Sequence, residues 1–183
     1  MGILKTPAKF VQKLKLPAGF SVCELGDQYL TCVSPHRIAA QWYREMGCGR
    51  YVALDGNGRG TITCDLNHPI EGLGPFDLVT DFGTGEHVFD QAQVWRTLHG
   101  LMKVGGYLAF DRPTQGYPTH CYYLADECLF TDVAAANEYE VIRFGREKTK
   151  RGELVRGVFR KMLDAPFKVP QQRRYHSSLR IPL

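Results

Sequence analysis

The sequence predicts an α/β fold with a doubly wound, mostly parallel sheet that ends in a C-terminal antiparallel hairpin. Two observations carry that expectation. Residues 76–113 read as strand, loop, amphipathic helix, Gly-Gly turn and strand, which is one parallel crossover unit. Short apolar runs alternate with a helical period upstream of it, and two extended runs flank a polar turn downstream.

Each element has its own signal. Ser21 to Leu25 is an apolar run closed by Gly26, the first strand. Residues 35–46 place Ile38, Ala39, Trp42, Tyr43 and Met46 in helical register before a Gly47-Cys48-Gly49 stop. Tyr51 to Asp55 is the second strand, ending in an acid and the turn Gly56-Asn57-Gly58. Thr61 to Asp65 is the third, stopped by Asn67 and Pro69. The connection over 56–61 is too short for a helix, so this crossover is expected to be a loop.

Phe76 to Asp81 is the fourth strand. A helix expected to start near Glu86 then presents Val88, Val94, Trp95, Leu98, Leu101 and Met102 on one face. The fifth strand runs to Phe110, Cys121 to Asn137 is expected to be a helix, and Tyr139–Arg146 with Glu153–Met162 form the hairpin.

At 183 residues and 44% hydrophobic, the chain can bury one sizeable core. The expected organisation is a basic N-terminal leader over 1–19, one domain over 20–163 and an extended basic tail over 164–183. No apolar run of about 18 residues is present, so no membrane span is expected, and the lysine-bearing N-terminus lacks a secretory signal. A cytoplasmic protein is the expectation. Six cysteines without a CxxC pair point to reduced, buried thiols. His36, His68, His99 and His176 show no metal-ligand spacing with one another or with the cysteines, and no metal is expected. Residues 141–183 carry 12 Lys and Arg against 3 Asp and Glu, whereas residues 1–140 carry 11 against 16. Such a basic end is either a solvated tail or a surface for an acidic protein neighbour; its sparse aromatics give nucleic acid no specific support.

Four acids fall near the carboxyl ends of successive strands: Glu24, Asp55, Asp65 and Asp81. Open α/β sheets hold ligands at that edge. A carboxylate after the second strand can accept both hydroxyls of a ribose, and one after the third can accept from an adenine amino group. Leu66 is placed to cover the ring, and Gly26 lets the backbone approach the ligand.

In order, Glu24-Leu25-Gly26, Leu54-Asp55, Cys64-Asp65-Leu66, Phe76-Asp77-Leu78-Val79 and Lys103-Val104-Gly105-Gly106 resemble the consecutive motifs of class I S-adenosylmethionine-dependent methyltransferases, Rossmann-like enzymes, over about residues 20–162. The resemblance is to compact bacterial and phage members with a divergent cofactor loop. It implies S-adenosylmethionine as cofactor, with Glu24, Gly26, Gln28, Asp55, Gly56, Asp65, Leu66, Asp81 and Phe82 around it. Gln28 and Leu30 stand where the family places its second and third loop glycines.

Glu86, His87 and His120 are the catalytic candidates. An imidazole beside the transferred methyl group suits a general base near neutral pH, and a packing role for His87 is the competing reading. No NPPY-like tetrad or Pro-Cys loop marks a nucleic-acid base as acceptor, so the acceptor stays open. Two other readings compete with methyl transfer. One is a non-catalytic subunit of the same fold, for example in a virus particle, with its tail laid over neighbours. The other is a nicotinamide-dependent oxidoreductase, disfavoured because no GxGxxG follows the first strand.

Overall fold

The computed structural model describes residues 2–33, 35 and 37–172. Its elements are β1 (Gly2–Ile3), α1 (Lys5–Gln12), β2 (Ser21–Leu25), β3 (Tyr29–Leu30), β4 (Arg37–Ile38), α2 (Ala39–Glu45), β5 (Arg50–Asp55), β6 (Ile62–Thr63), β7 (Phe76–Phe82), α3 (Gln91–Leu101), β8 (Met102–Gln115), α4 (Glu127–Ala136), β9 (Glu140–Lys148) and β10 (Glu153–Arg160). Seven strands make the main sheet in the order β6-β5-β2-β7-β8-β10-β9. The first five are mutually parallel, and β10 runs antiparallel to both β8 and β9. The expected fold class is therefore the observed one. Strand order reverses between β2 and β7, which opens a crevice at their carboxyl ends.

Side chains alternate between two cores because successive strand residues point to opposite faces. Cys23, Val79, Leu108, Phe110 and Phe159 face α3 and α4, packing with Val94, Trp95, Leu98 and Phe130. Val22, Leu78, Ala109 and Val158 face α1 and α2, packing with Val11, Trp42 and Tyr43. The N-terminal segment belongs to this second core: Ile3, Ala8 and Val11 are buried, and β1 pairs in parallel with β3.

Several element boundaries differ from those predicted. The helix expected from 35 begins at Ala39, because Arg37 and Ile38 pair antiparallel with Leu30 and Tyr29 instead. The helix expected near Glu86 begins at Gln91. Asp90 caps it, its carboxylate accepting from Gln93 N at 2.9 Å, and Gly85–His87 forms a separate 3-10 turn ahead of it. α4 starts at Glu127, where Asp126 accepts from Cys128 N at 3.1 Å. The Gly105-Gly106 pair is no turn: β8 continues through it as an irregularity, with Gly105 at φ +79° and its N–H donating to Lys161 O at 2.7 Å. The loop crossover between β5 and β6 is as expected, with no helix among residues 56–61.

Cys23 is buried, whereas the other five cysteines are partly or fully exposed; all six are free thiols. No helix among the described residues is long and apolar enough to cross a membrane. The start of the C-terminal segment is tied to the domain. Asn137 exchanges two hydrogen bonds with the Lys168 backbone at 2.8 and 3.0 Å, His99 Nε2 lies 2.7 Å from Ala165 O, and the Phe167 ring stands edge-on to His99. Beyond 172 the tail, including Tyr175, His176 and Leu179, lies outside the described residues, as does His36.

Candidate functional site

Two cavities open near the carboxyl edge of the parallel strands. One of about 850 Å³ lies over β2, β5 and β6, lined by Gly26, Asp27, Gln28, Asp55, Leu66 and His87 among others. The second, of about 690 Å³, lies over β7 and β8 and is lined by Phe82, Glu86, Asp111, Tyr117, His120 and Arg151 among others. Residues 86 and 87 are adjacent in sequence and line different cavities, so the 3-10 turn is the wall between them.

Of the residues expected around a cofactor, Gly26, Gln28, Asp55, Gly56, Asp65 and Leu66 line the first cavity together. Asp55 accepts from Asp27 N at 2.7 Å and from Asn57 N at 2.9 Å, which fixes the carboxylate at the mouth. A carboxylate offers about four lone-pair sites, so acceptor capacity remains. Asp65 is held by Asn67 through its backbone and side-chain nitrogens at 2.9 and 2.7 Å, and these bonds hold its carboxyl below the usual range.

Gly26 sits at φ +80°, where a side chain is strained. A Cβ there would also stand 2.6 Å from Gln28 Nε2. Gln28, buried, donates to Leu25 O at 3.3 Å and to Thr84 Oγ1 at 3.0 Å, while Thr84 Oγ1 donates to Leu25 O at 2.8 Å. These two side chains occupy the space that further glycines would leave open. Gln28 Oε1 has no partner among the described residues.

Three expected cofactor residues are elsewhere, each for a reason set by strand alternation. Glu24 is followed by Leu25 in β2, so it points sideways to the α2 face rather than over the edge. There Tyr51 Oη donates to its carboxyl at 2.7 Å, and burial pushes its pKa up to about 8. Asp81 is likewise followed by Phe82 and turns toward α3, where Arg112 captures it. Arg112 Nε donates to Asp81 Oδ2 at 2.6 Å, and both side chains are at most 1% exposed. Phe82 lies on the other face and lines the second cavity.

Arg112 escaped the sequence reading, although an arginine two residues after Phe110 in a buried strand was the available signal. It holds the wall together: it also donates to Gln91 Oε1 at 3.0 Å, and its guanidinium lies 5.3 Å over the Trp95 ring. Gly85 is required beneath it, since a Cβ would come within 2.7 Å of both Arg112 Cζ and Asp81 Oδ2. Asp111, the residue before, faces the opposite way and pairs with Arg156 at 2.9 Å.

The three catalytic candidates come together on this wall. Glu86 and His120 line the second cavity and His87 the first, with the His87 and His120 rings 5.0 Å apart, edge to face. His87 Nε2 is 4.0 Å from Glu86 Oε1. Burial, and next the neighbouring His120, lower the His87 pKa from its ordinary value, so the ring is neutral at pH 7. Glu86 is 1% exposed, and neither carboxyl oxygen has a hydrogen-bond partner among the described residues. Its pKa is pushed up to about 8, first by burial and then by Asp81.

No protein-family model matches the sequence, and no curated protein matches it. Solved structures do match in fold. The 1,6-didemethyltoxoflavin-N1-methyltransferase of Burkholderia thailandensis, solved with 1,6-didemethyltoxoflavin and S-adenosylhomocysteine, superposes with a TM-score of 0.62 at 17% identity, covering 85% of this chain and 76% of that one. The N-methyltransferase NodS of Bradyrhizobium japonicum with S-adenosylhomocysteine gives 0.62 at 14% identity, covering 86% of each. The [4+2]-cyclase SpnF gives 0.58 at 12% identity over 87% of this chain and 81% of that one. The chain thus has the fold of these methyltransferases, and a cyclase shares it, so the reaction must be argued from the site.

Proposed function

We propose that the chain binds S-adenosylmethionine in the 850 Å³ cavity and transfers its methyl group to an acceptor held in the 690 Å³ cavity across the Glu86-His87 wall. The carrying observation is the convergence of Gly26, Asp55, Asp65 and Leu66 on one crevice at the strand-order reversal. In this reading the free lone pairs of Asp55 accept the ribose hydroxyls, Asp65 accepts from the adenine amino group and Leu66 covers the ring. Gln28 Oε1, without a partner among the described residues, accepts from the ammonium of the methionine moiety.

The cofactor supplies an activated methyl group when bound. The protein's part is orientation of the acceptor and handling of its proton. His87, neutral at pH 7 and placed at the wall, takes that proton, while Glu86 and His120 face the acceptor. The fold shared with two methyltransferases solved with S-adenosylhomocysteine supports the reading.

Calorimetric titration with S-adenosylhomocysteine tests it. Wild type is expected to bind one equivalent, and Asp55→Ala to lose about 1.5–3 kcal/mol of affinity, the range for hydrogen bonds to a charged group. Unchanged affinity in the variant removes the ribose assignment. No binding at millimolar ligand favours a non-catalytic subunit.

A further inference from the structure

We propose that Glu86, His87 and His120 form a binding site for a divalent first-row transition-metal ion on the wall between the two cavities. One donor atom from each residue lies within 4.8 Å of the other two. With metal–ligand bonds of about 2.1 Å, opposite ligands stand about 4.2 Å apart and adjacent ones about 3 Å, so side-chain rotation of about an ångström closes the set. One carboxylate and two imidazoles suit zinc, cobalt, iron or manganese, and leave coordination positions open on the cavity side.

The second observation is the state of Glu86. A carboxyl group that is 1% exposed, with no hydrogen-bond partner among the described residues, is costly as an anion unless a proton or a cation neutralises it. The neighbouring cations do so only in part: Arg112, whose charge favours the Glu86 anion, is engaged by Asp81, and Arg156 by Asp111 and Glu147. Three buried carboxyls therefore share two buried guanidiniums, and Glu86 is the one left over. His87 Nε2 is also buried without a partner among the described residues. The two orphaned groups adjoin, and an ion would satisfy both. The loop that carries His120 is pinned to the same turn, because Tyr123 N donates to Glu86 O at 3.3 Å. An ion here would occupy His87 Nε2 and meet an oxygen of the acceptor, easing loss of the acceptor's proton in place of His87 as the base; that role rests on the methyl-transfer reading, whereas the binding of the ion does not.

Titration of the chelator-treated full-length chain with Co²⁺, followed by visible ligand-field absorption, tests the site. The expected result is saturation at one equivalent without the intense near-ultraviolet band of cobalt–thiolate bonds, which sets the six cysteines aside. His120→Ala and Glu86→Gln should each weaken binding by at least about tenfold. His120 is exposed, so its loss leaves the core intact and keeps the test valid should Glu86→Gln fail to fold. His68→Ala, which alters the exposed His68–Asp65 pair on the other cavity's rim, should bind as wild type does. Absence of saturation at millimolar Co²⁺, a thiolate band, or wild-type affinity in His120→Ala overturns the proposal. Cobalt binding with no S-adenosylhomocysteine binding would retain the metal site and discard the methyl-transfer reading alone.

Discussion

Replacing Arg112 with Met should unfold the wall between the two cavities at a cost out of proportion to one side chain. The guanidinium donates to Asp81 from Nε at 2.6 Å, pairs with the same carboxylate through a terminal nitrogen, and reaches Gln91 Oε1 at 3.0 Å. Methionine fills most of the volume, so the lost packing is small and the lost charge decides the outcome. Asp81, fully buried, would keep only the N–H groups of Thr84 and Gly85, at 3.2 and 2.9 Å. Removing one partner of a buried pair costs about 3–5 kcal/mol. For a chain of this size, that lowers the unfolding midpoint by about 6–20 °C. Calorimetric unfolding of wild type, Arg112→Met, Asp81→Asn and the double variant gives the coupling energy. Adding Asp81→Asn to Arg112→Met should restore part of the loss, since a neutral amide needs no counter-charge. A loss below about 1 kcal/mol in Arg112→Met, or no coupling in the cycle, would refute the reasoning.

Three further outcomes are expected. Burial pushes the Glu24 pKa up to about 8 from 4.5 in the unfolded chain, so its stability contribution is fully present below pH 4.5 and lost as pH rises toward and through 8. Chemical unfolding across that range should therefore show a steeper fall for wild type than for Glu24→Gln, and equal slopes would contradict the buried, protonated carboxyl. Glu138 follows α4 in the left-handed region at φ +53°, so Glu138→Gly should stabilise the protein by about 0.5–1 kcal/mol in urea unfolding, despite losing an exposed contact with Lys168. Asn137→Ala should cost about 1–3 kcal/mol by releasing the Lys168 backbone, and a neutral result would mean that the segment after β10 is not docked.

The sequence made the strand succession legible because apolar runs and their glycine stops are local signals. The crossover over 76–113 and the terminal hairpin were legible too, as β7 beside β8 and β10 beside β9, whereas the order of all seven strands was not read from the sequence. The edge of the sheet that holds the site was legible for the same reason. Which acids face the crevice was not. Glu24 and Asp81 each precede one more strand residue, and that single position turns them onto the sheet faces, where Tyr51 and Arg112 take them up. Asp55 ends its strand, and Asp65 lies two residues beyond β6; both reach the crevice. The wall of Glu86, His87 and His120 joins residues more than thirty positions apart, through a loop whose path no periodicity encodes. Cysteine burial also misled, since apolar neighbours in sequence do not ensure cover in space.

A crystal structure of the chain grown with S-adenosylhomocysteine would settle where the ligand lies. The expected density fills the 850 Å³ cavity, with the ribose at Asp55, the adenine against Leu66 and the sulfur toward the Glu86-His87 wall. Ligand bound elsewhere, or a ribose out of reach of Asp55, would contradict the proposed site.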